Sequence, residues 1–170
     1  MKKKLFVMLV VIMIVSAVAI PVLAGSRDNA SGEWYYRPTT WPPAVMEVVG
    51  GNTIISSEDE GYFTGTIAGD EQDSGWVVIN KNGHWLYWGK VSFASATVDG
   101  KTGGLEIRVH GWRPDAEAPW DGTWHITGGT GDLAGLRGGG TWSGMGWLGD
   151  PAEYGVVEYS GNIHMPRSRW

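Results

Sequence analysis

The residues best spaced to do chemistry sit in one short stretch of the chain. Over 105–112, Leu105, Ile107 and Val109 alternate with Glu106, Arg108 and His110, and Trp112 continues the polar series. Successive side chains of an extended strand point to opposite faces, so the three titratable groups share one side. Turned into a closed interior, Arg108 could hold an anionic group or polarise a carbonyl, while Glu106 or His110 moves protons. Such an inward triad would be functional, because buried unpaired charge is too costly to be accidental. The simpler arrangement packs Leu105, Ile107 and Val109 inside and leaves the charged face in water. That arrangement is the expectation, and Glu106, Arg108 and His110 are catalytic candidates only if it fails.

Other chemistry is sparse. The chain has no cysteine, which excludes thiol catalysis, a disulfide framework and a lipid-modified cysteine anchor. Gly-x-Ser-x-Gly is absent, so no elbow nucleophile is identifiable. His84, His110, His125 and His164 show no i,i+2 or i,i+4 pairing, and neither a metal site nor a cofactor is expected. The 11 tryptophans exceed what a small core needs, so some belong at a mouth or on the surface. Exposed rings would stack on sugars, and inward rings would line a pocket for an apolar ligand. Trp112, Trp124 and His125 are the ligand-binding candidates.

The elements that must position these groups are strands. Gly, Thr, Trp and Val interrupt every window where a helical period might build. Short extended segments are expected at 32–37, 45–49, 53–57, 62–69, 75–80, 91–98, 105–112, 121–127, 140–144 and 156–165, with another starting at Trp85. The acidic residues Glu58, Asp59 and Glu60, and the stretch 70–74, read as connections between them. Asn82-Gly83 and Asp99-Gly100 read as two-residue hairpin turns. Eight to ten strands without a crossover helix imply an antiparallel sheet of neighbouring strands. The fold class is therefore all-β, a single small antiparallel barrel of about eight strands, with a sandwich of the same strands as the alternative.

The most distinctive segment is 125–142, His-Ile-Thr-Gly-Gly-Thr-Gly-Asp-Leu-Ala-Gly-Leu-Arg-Gly-Gly-Gly-Thr-Trp. Its glycines permit positive φ, and Leu133 and Leu136 lie on one turn, so a strand should stop, make one helical turn that plugs a barrel end, and restart. A phosphate-binding loop would need a helix N-terminus and a following lysine, and neither is present. The G-T-G-x-L-x-G-L-x-G pattern, with Gly122-Thr123-Trp124 before it and Phe63-Thr64-Gly65-Thr66 upstream, resembles the allene oxide cyclase barrel superfamily. The likeness is to its bacterial and archaeal domain-of-unknown-function branch, over about 31–144. It implies an eight-stranded antiparallel barrel. The superfamily's named members are cofactor-free cyclases, but their catalytic residues lie outside the glycine segment, so none carries over.

Charge and the N-terminus bound the setting. Lys2, Lys3 and Lys4 precede an apolar run over 5–23 that ends in Val22-Leu23-Ala24, the form of a signal peptide over 1–24 ahead of a barrel domain over 25–170. The run is also long enough to span a bilayer, so an uncleaved anchor is the alternative. The net charge of −5 becomes −8 without the three lysines, which argues against nucleic acid and against anionic membrane surfaces beyond residues 1–24. The expected protein is a secreted or extracytoplasmic barrel that binds a small, largely apolar molecule, with cofactor-free isomerase or cyclase activity open. A sugar-binding module using exposed Trp and Tyr, or a structural barrel without ligand, are the alternatives.

Overall fold

The computed structural model describes residues 28–40, 43, 46–150 and 152–165. The signal-peptide and anchor readings of 1–24 lie outside them. Nine strands follow in chain order: β1 (Asp28–Pro38), β2 (Met46–Val49), β3 (Asn52–Gly65), β4 (Ile67–Ile79), β5 (Trp85–Val98), β6 (Lys101–Arg113), β7 (Trp120–Gly129), β8 (Arg137–Gly146) and β9 (Gly155–His164). Each pairs antiparallel with its neighbour along the order β1-β9-β8-β7-β6-β5-β4-β3-β2. A further antiparallel pairing, with Trp34 opposite Phe63 and Tyr36 opposite Gly61, joins β1 to β3 and closes eight strands into a barrel. The sandwich alternative is thereby set aside. Strand β2 stands outside the ring, paired with residues 52–55 of β3 beyond the point where β1 has ended.

Period-two alternation decides which residues fill the barrel. On β6 Leu105, Ile107 and Val109 are buried and Glu106, Arg108 and His110 are exposed, the expected orientation. Closing off the end where β6 starts, Gly131–Leu133 form a 3-10 turn, and Leu133 and Leu136 bury completely. Gly131 (φ 60°) and Gly135 (φ 83°) bracket that turn in the left-handed region. Val98, Leu105, Ile67 and Ile163 fill the same half with aliphatic volume. Aromatic rings fill the middle: Trp34 stacks on Phe63 at 5.4 Å and meets Trp142 edge-on at 5.9 Å. Room for Trp142 comes from Gly111 and Gly122, where an added Cβ would collide with its indole.

Two expectations from the sequence fail in an informative way. The acidic stretches around Asp59 and over 70–74 are not connections, because β3 and β4 run through them without a break. The chain turns instead at Gly65 (φ 94°), inside what was expected to be one strand over 62–69. The loop after β4 also differs from a two-residue Asn82-Gly83 turn. Asn80 accepts from Gly83 N–H and donates to His84 O, so only Gly83 (φ 85°) needs positive φ. At Asp99 (φ 49°) and Gly100 (φ 74°) both residues take it, as a mirror-image hairpin turn requires.

Candidate functional site

The end of the barrel opposite the Leu133–Leu136 plug is hollow. Its cavity of about 330 Å³ is walled by Trp34, Tyr36, Trp85, Tyr87, Trp120 and Trp142, with Trp147 and Leu148 at the rim. These residues come from the second halves of β1 and β8, the first residues of β5 and β7, and the segment that follows β8. The walls are large flat rings, so the space suits an apolar or aromatic molecule.

Three carboxyl groups are buried in the barrel beside this aromatic box, and one of them, Asp59, lines it. Asp59 on β3 lines the cavity, and Asp73 on β4 is its direct cross-strand partner. Glu71 precedes Asp73 by two residues and so shares the inward face. All three are buried, as is Arg113. Each acid accepts from a side-chain donor of its own. Ser57 Oγ donates to Asp59 Oδ1 at 2.8 Å, Trp34 Nε1 donates to Glu71 Oε1 at 3.1 Å, and Tyr87 OH donates to Asp73 Oδ2. Glu71 Oε2 and Asp73 Oδ1 are buried without a partner. Gly89 makes this packing feasible, since a Cβ there would lie 2.9 Å from Asp73 Oδ1 and strike the Tyr87 hydroxyl.

The carboxyls therefore hold protons tightly. Burial raises Asp73 to about 8, the charge of Asp59 adds to the rise, and the Tyr87 bond opposes it. Burial likewise raises Glu71 to about 9, with Asp73 adding and the Trp34 bond opposing. Asp59, where the Ser57 bond offsets part of the burial, rises only to about 6. The facing pair thus holds protons more readily than separate carboxyls do, and the more deeply buried Asp73 more readily than Asp59. Environments that push two carboxyls apart in this way create an acid and a base side by side. Burial also drives the Tyr36 and Tyr87 hydroxyls above their ordinary range, so both remain protonated.

The residues singled out from the sequence lie elsewhere. Glu106, Arg108 and His110 stand on the outer face of β6, away from the cavity, and Glu106 approaches Lys90 at 3.8 Å. Trp112 is on that outer face and 44% exposed, and His125 lies on the outer face of β7, with its ring 6.3 Å from that of His110. Trp124 points inward, but into the packed middle, where its Nε1 donates to Ser160 O at 3.1 Å. None of the six lines the cavity. Among the described residues no group of His, Asp and Glu could hold a metal ion.

Asp59, Glu71 and Asp73 escape a reading of the sequence because acidic residues by themselves favour turns. The signal that places them is phase: Ile67, Glu71, Asp73 and Val77 fall on the same parity of β4, and Asp59 and Phe63 on the same parity of β3. Arg113 likewise falls in phase with Leu105, Ile107 and Val109.

No family model and no curated protein matches the chain. Among solved structures it is similar to a pterocarpan synthase dirigent protein, at 16% sequence identity and a TM-score of 0.47, over 86% of this chain and 95% of that one.

Proposed function

We propose that the barrel binds a small, largely apolar molecule in its open end and catalyses a cofactor-free isomerisation or cyclisation there. The observation that carries this reading is the buried facing pair Asp59 and Asp73, of which Asp59 lines the aromatic cavity and Asp73 is bonded to its wall residue Tyr87. The neutral Asp73, bonded to the cavity-lining Tyr87, supplies a proton to an oxygen or unsaturated carbon of the substrate. The Asp59 carboxylate removes one from another position. Because the two acids are neighbours, the proton gained by Asp59 can return to Asp73, so the cycle closes without net consumption of protons or electrons. The surrounding indole and phenol rings exclude water and stabilise positive charge through their π faces. The likeness of the glycine segment to the allene oxide cyclase barrels, whose named members are cofactor-free cyclases, agrees with this chemistry. Export through residues 1–24 belongs to the same proposal.

The test uses an enolisable hydrophobic ketone such as 2-tetralone in deuterium oxide. The protein is expected to accelerate exchange of the α-protons, and replacing both acids, Asp59→Asn with Asp73→Asn, should abolish the acceleration. Equal rates for parent and double variant would remove the catalytic part of the proposal and leave only binding.

A second reading rests on the outer surface. Trp76 and Trp88 are direct cross-strand partners, and Trp112 lies two residues beyond His110, the partner of Trp88. Their exposures of 59%, 41% and 44% make a ribbon of flat rings across β4, β5 and β6. Three rings give far less area than the roughly 800 Å² per partner of a stable protein interface. They match the flat, weakly polar faces of sugar rings, with Asp121 opposite Trp112 available for hydroxyls. Retardation in gels containing soluble β-glucan, lost in Trp88→Ala, is the expected result for that function.

A further inference from the structure

The hollow end of the barrel also contains a cation. Arg113 ends β6, and its parity turns it inside, where it is only 8% exposed. Its guanidinium carbon lies 4.0 Å from the centre of the Trp85 ring and 4.6 Å from that of Trp120. One terminal nitrogen donates to Ala116 O at 2.9 Å, and Nε is buried without a partner. Among the described residues its side chain has no ion pair, the pairs there being Arg37 with Glu60 and Lys90 with Glu106. Burial lowers the affinity of the guanidinium for its proton, and Tyr36 and then Asp115 oppose that shift. A guanidinium nevertheless stays charged in proteins.

A buried cation without a counter-ion is costly, and two aromatic faces offset only part of that cost. The rings also fix the plane of the guanidinium, which leaves its N–H edge set for an oxyanion. The position of Arg113 in the barrel is equally informative. It pairs with Trp85, whereas Gly111, two residues deeper, pairs with Tyr87, the donor to Asp73. Asp73 itself pairs with Val91, the partner of Ile107, so along the ladder the cation stands nearer the rim than the carboxyl pair.

We propose that Arg113 is the anchor for an anionic group of the ligand, so that the molecule taken by this cavity is a small aromatic or largely apolar acid. It enters apolar end first, places its anionic group at the rim against Arg113, and presents its body to Tyr87 and Asp59. This rests on the binding half of the function proposed above and adds to it the charge and the orientation of the ligand.

Two fluorescent probes with one skeleton separate the ideas: 8-anilinonaphthalene-1-sulfonate carries an anionic group, and N-phenyl-1-naphthylamine lacks it. Titrated into the folded protein at the same ionic strength, the sulfonate should bind at least tenfold more tightly than the neutral amine. Arg113→Met should erase that preference while leaving affinity for the neutral probe within about twofold. Arg113→Lys, which keeps the charge but loses the planar edge, should retain part of it. Equal affinity of the parent for the two probes, or a preference that survives Arg113→Met, would overturn the assignment of Arg113 while leaving the cavity as a binding site. Failure of both probes to bind would overturn the cavity reading itself. If far-UV circular dichroism shows that the methionine variant does not fold, Arg113→Lys takes its place, and an undiminished preference in that variant overturns the assignment.

Discussion

Asp59 and Asp73 face each other across β3 and β4 with both side chains inside the barrel. Like charges directly opposite on adjacent strands destabilise a sheet, so the pair persists by keeping a proton. Stability must then depend on pH in a definite direction. Unfolded carboxyls titrate near 4, whereas Asp59, Asp73 and Glu71 are raised to about 6, 8 and 9 in the fold. The folded state holds more protons between those limits, so its stability is greatest in acid and falls as pH rises through the folded values. Each retained proton contributes a slope of up to about 1.4 kcal/mol per pH unit. Thermal midpoints should decline from about pH 5 to about pH 8. In Asp73→Asn, which can still accept from Tyr87, the decline should be shallower. A variant as steep as the parent would mean that Asp73 is not a source of the effect.

The partner of Glu71 supplies a separate test. Its Oε1 accepts from Trp34 Nε1, and its Oε2 already lacks a partner. Trp34→Phe keeps a ring against Phe63 and Trp142 but strands the remaining oxygen, a loss of about 1 to 3 kcal/mol. Urea midpoints measure it. Pairing the change with Glu71→Leu should give a loss smaller than the sum of the two, because no oxygen is then left to orphan. Additive losses would show that the indole contributes only its packing.

At the closed end, Gly131 and Gly135 hold left-handed backbone on either side of buried Leu133. A β-branched residue is strained there, so Gly131→Val and Gly135→Val should each destabilise the fold by roughly 1 to 3 kcal/mol. An added side chain at Gly131 would also approach Thr102 O at 3.2 Å. Chemical denaturation of both variants checks this. Parent-like midpoints would show that the turn can relax without disturbing the leucines.

How much of this was legible in the sequence depended on whether a residue's role followed from its own type. The plug was legible because glycine at Gly131 and Gly135 and leucine at Leu133 and Leu136 each have one obvious use. The barrel followed from turn chemistry such as Asp99-Gly100. The site was not legible, because Asp59, Glu71 and Asp73 are acids in the interior of long strands, and an acid's own preference is for water and turns. Only the phase they share with Phe63, Ile67 and Val77 overrides that preference, and phase carries weight only once strand lengths are known. Closure added what no local pattern contains. It brought Arg113, Trp85 and Trp120 from three strands to one rim, with Tyr36 of β1 lining the same cavity.

The two faces of β6 give the sharpest stability contrast in the molecule. Ile107 is buried at the centre of the barrel wall, and Arg108, one residue on, is exposed. Ile107→Ala deletes methyl and methylene groups from a site whose neighbours, Val91 and Ile126, are themselves fixed by cross-strand pairing. The space cannot collapse, so the loss should be about 2 to 5 kcal/mol. Arg108→Ala removes a solvated side chain, and its cost should not exceed about 1 kcal/mol. The same pair separates structure from function. Arg108→Ala should leave binding of the neutral naphthylamine probe unchanged, because it stands on the outer wall, whereas Trp120→Ala removes a wall of the cavity and should weaken that binding at least tenfold. Loss of probe binding in a folded Arg108→Ala protein would move the site to the outer face of β6, where Glu106 and His110 would again be its leading residues.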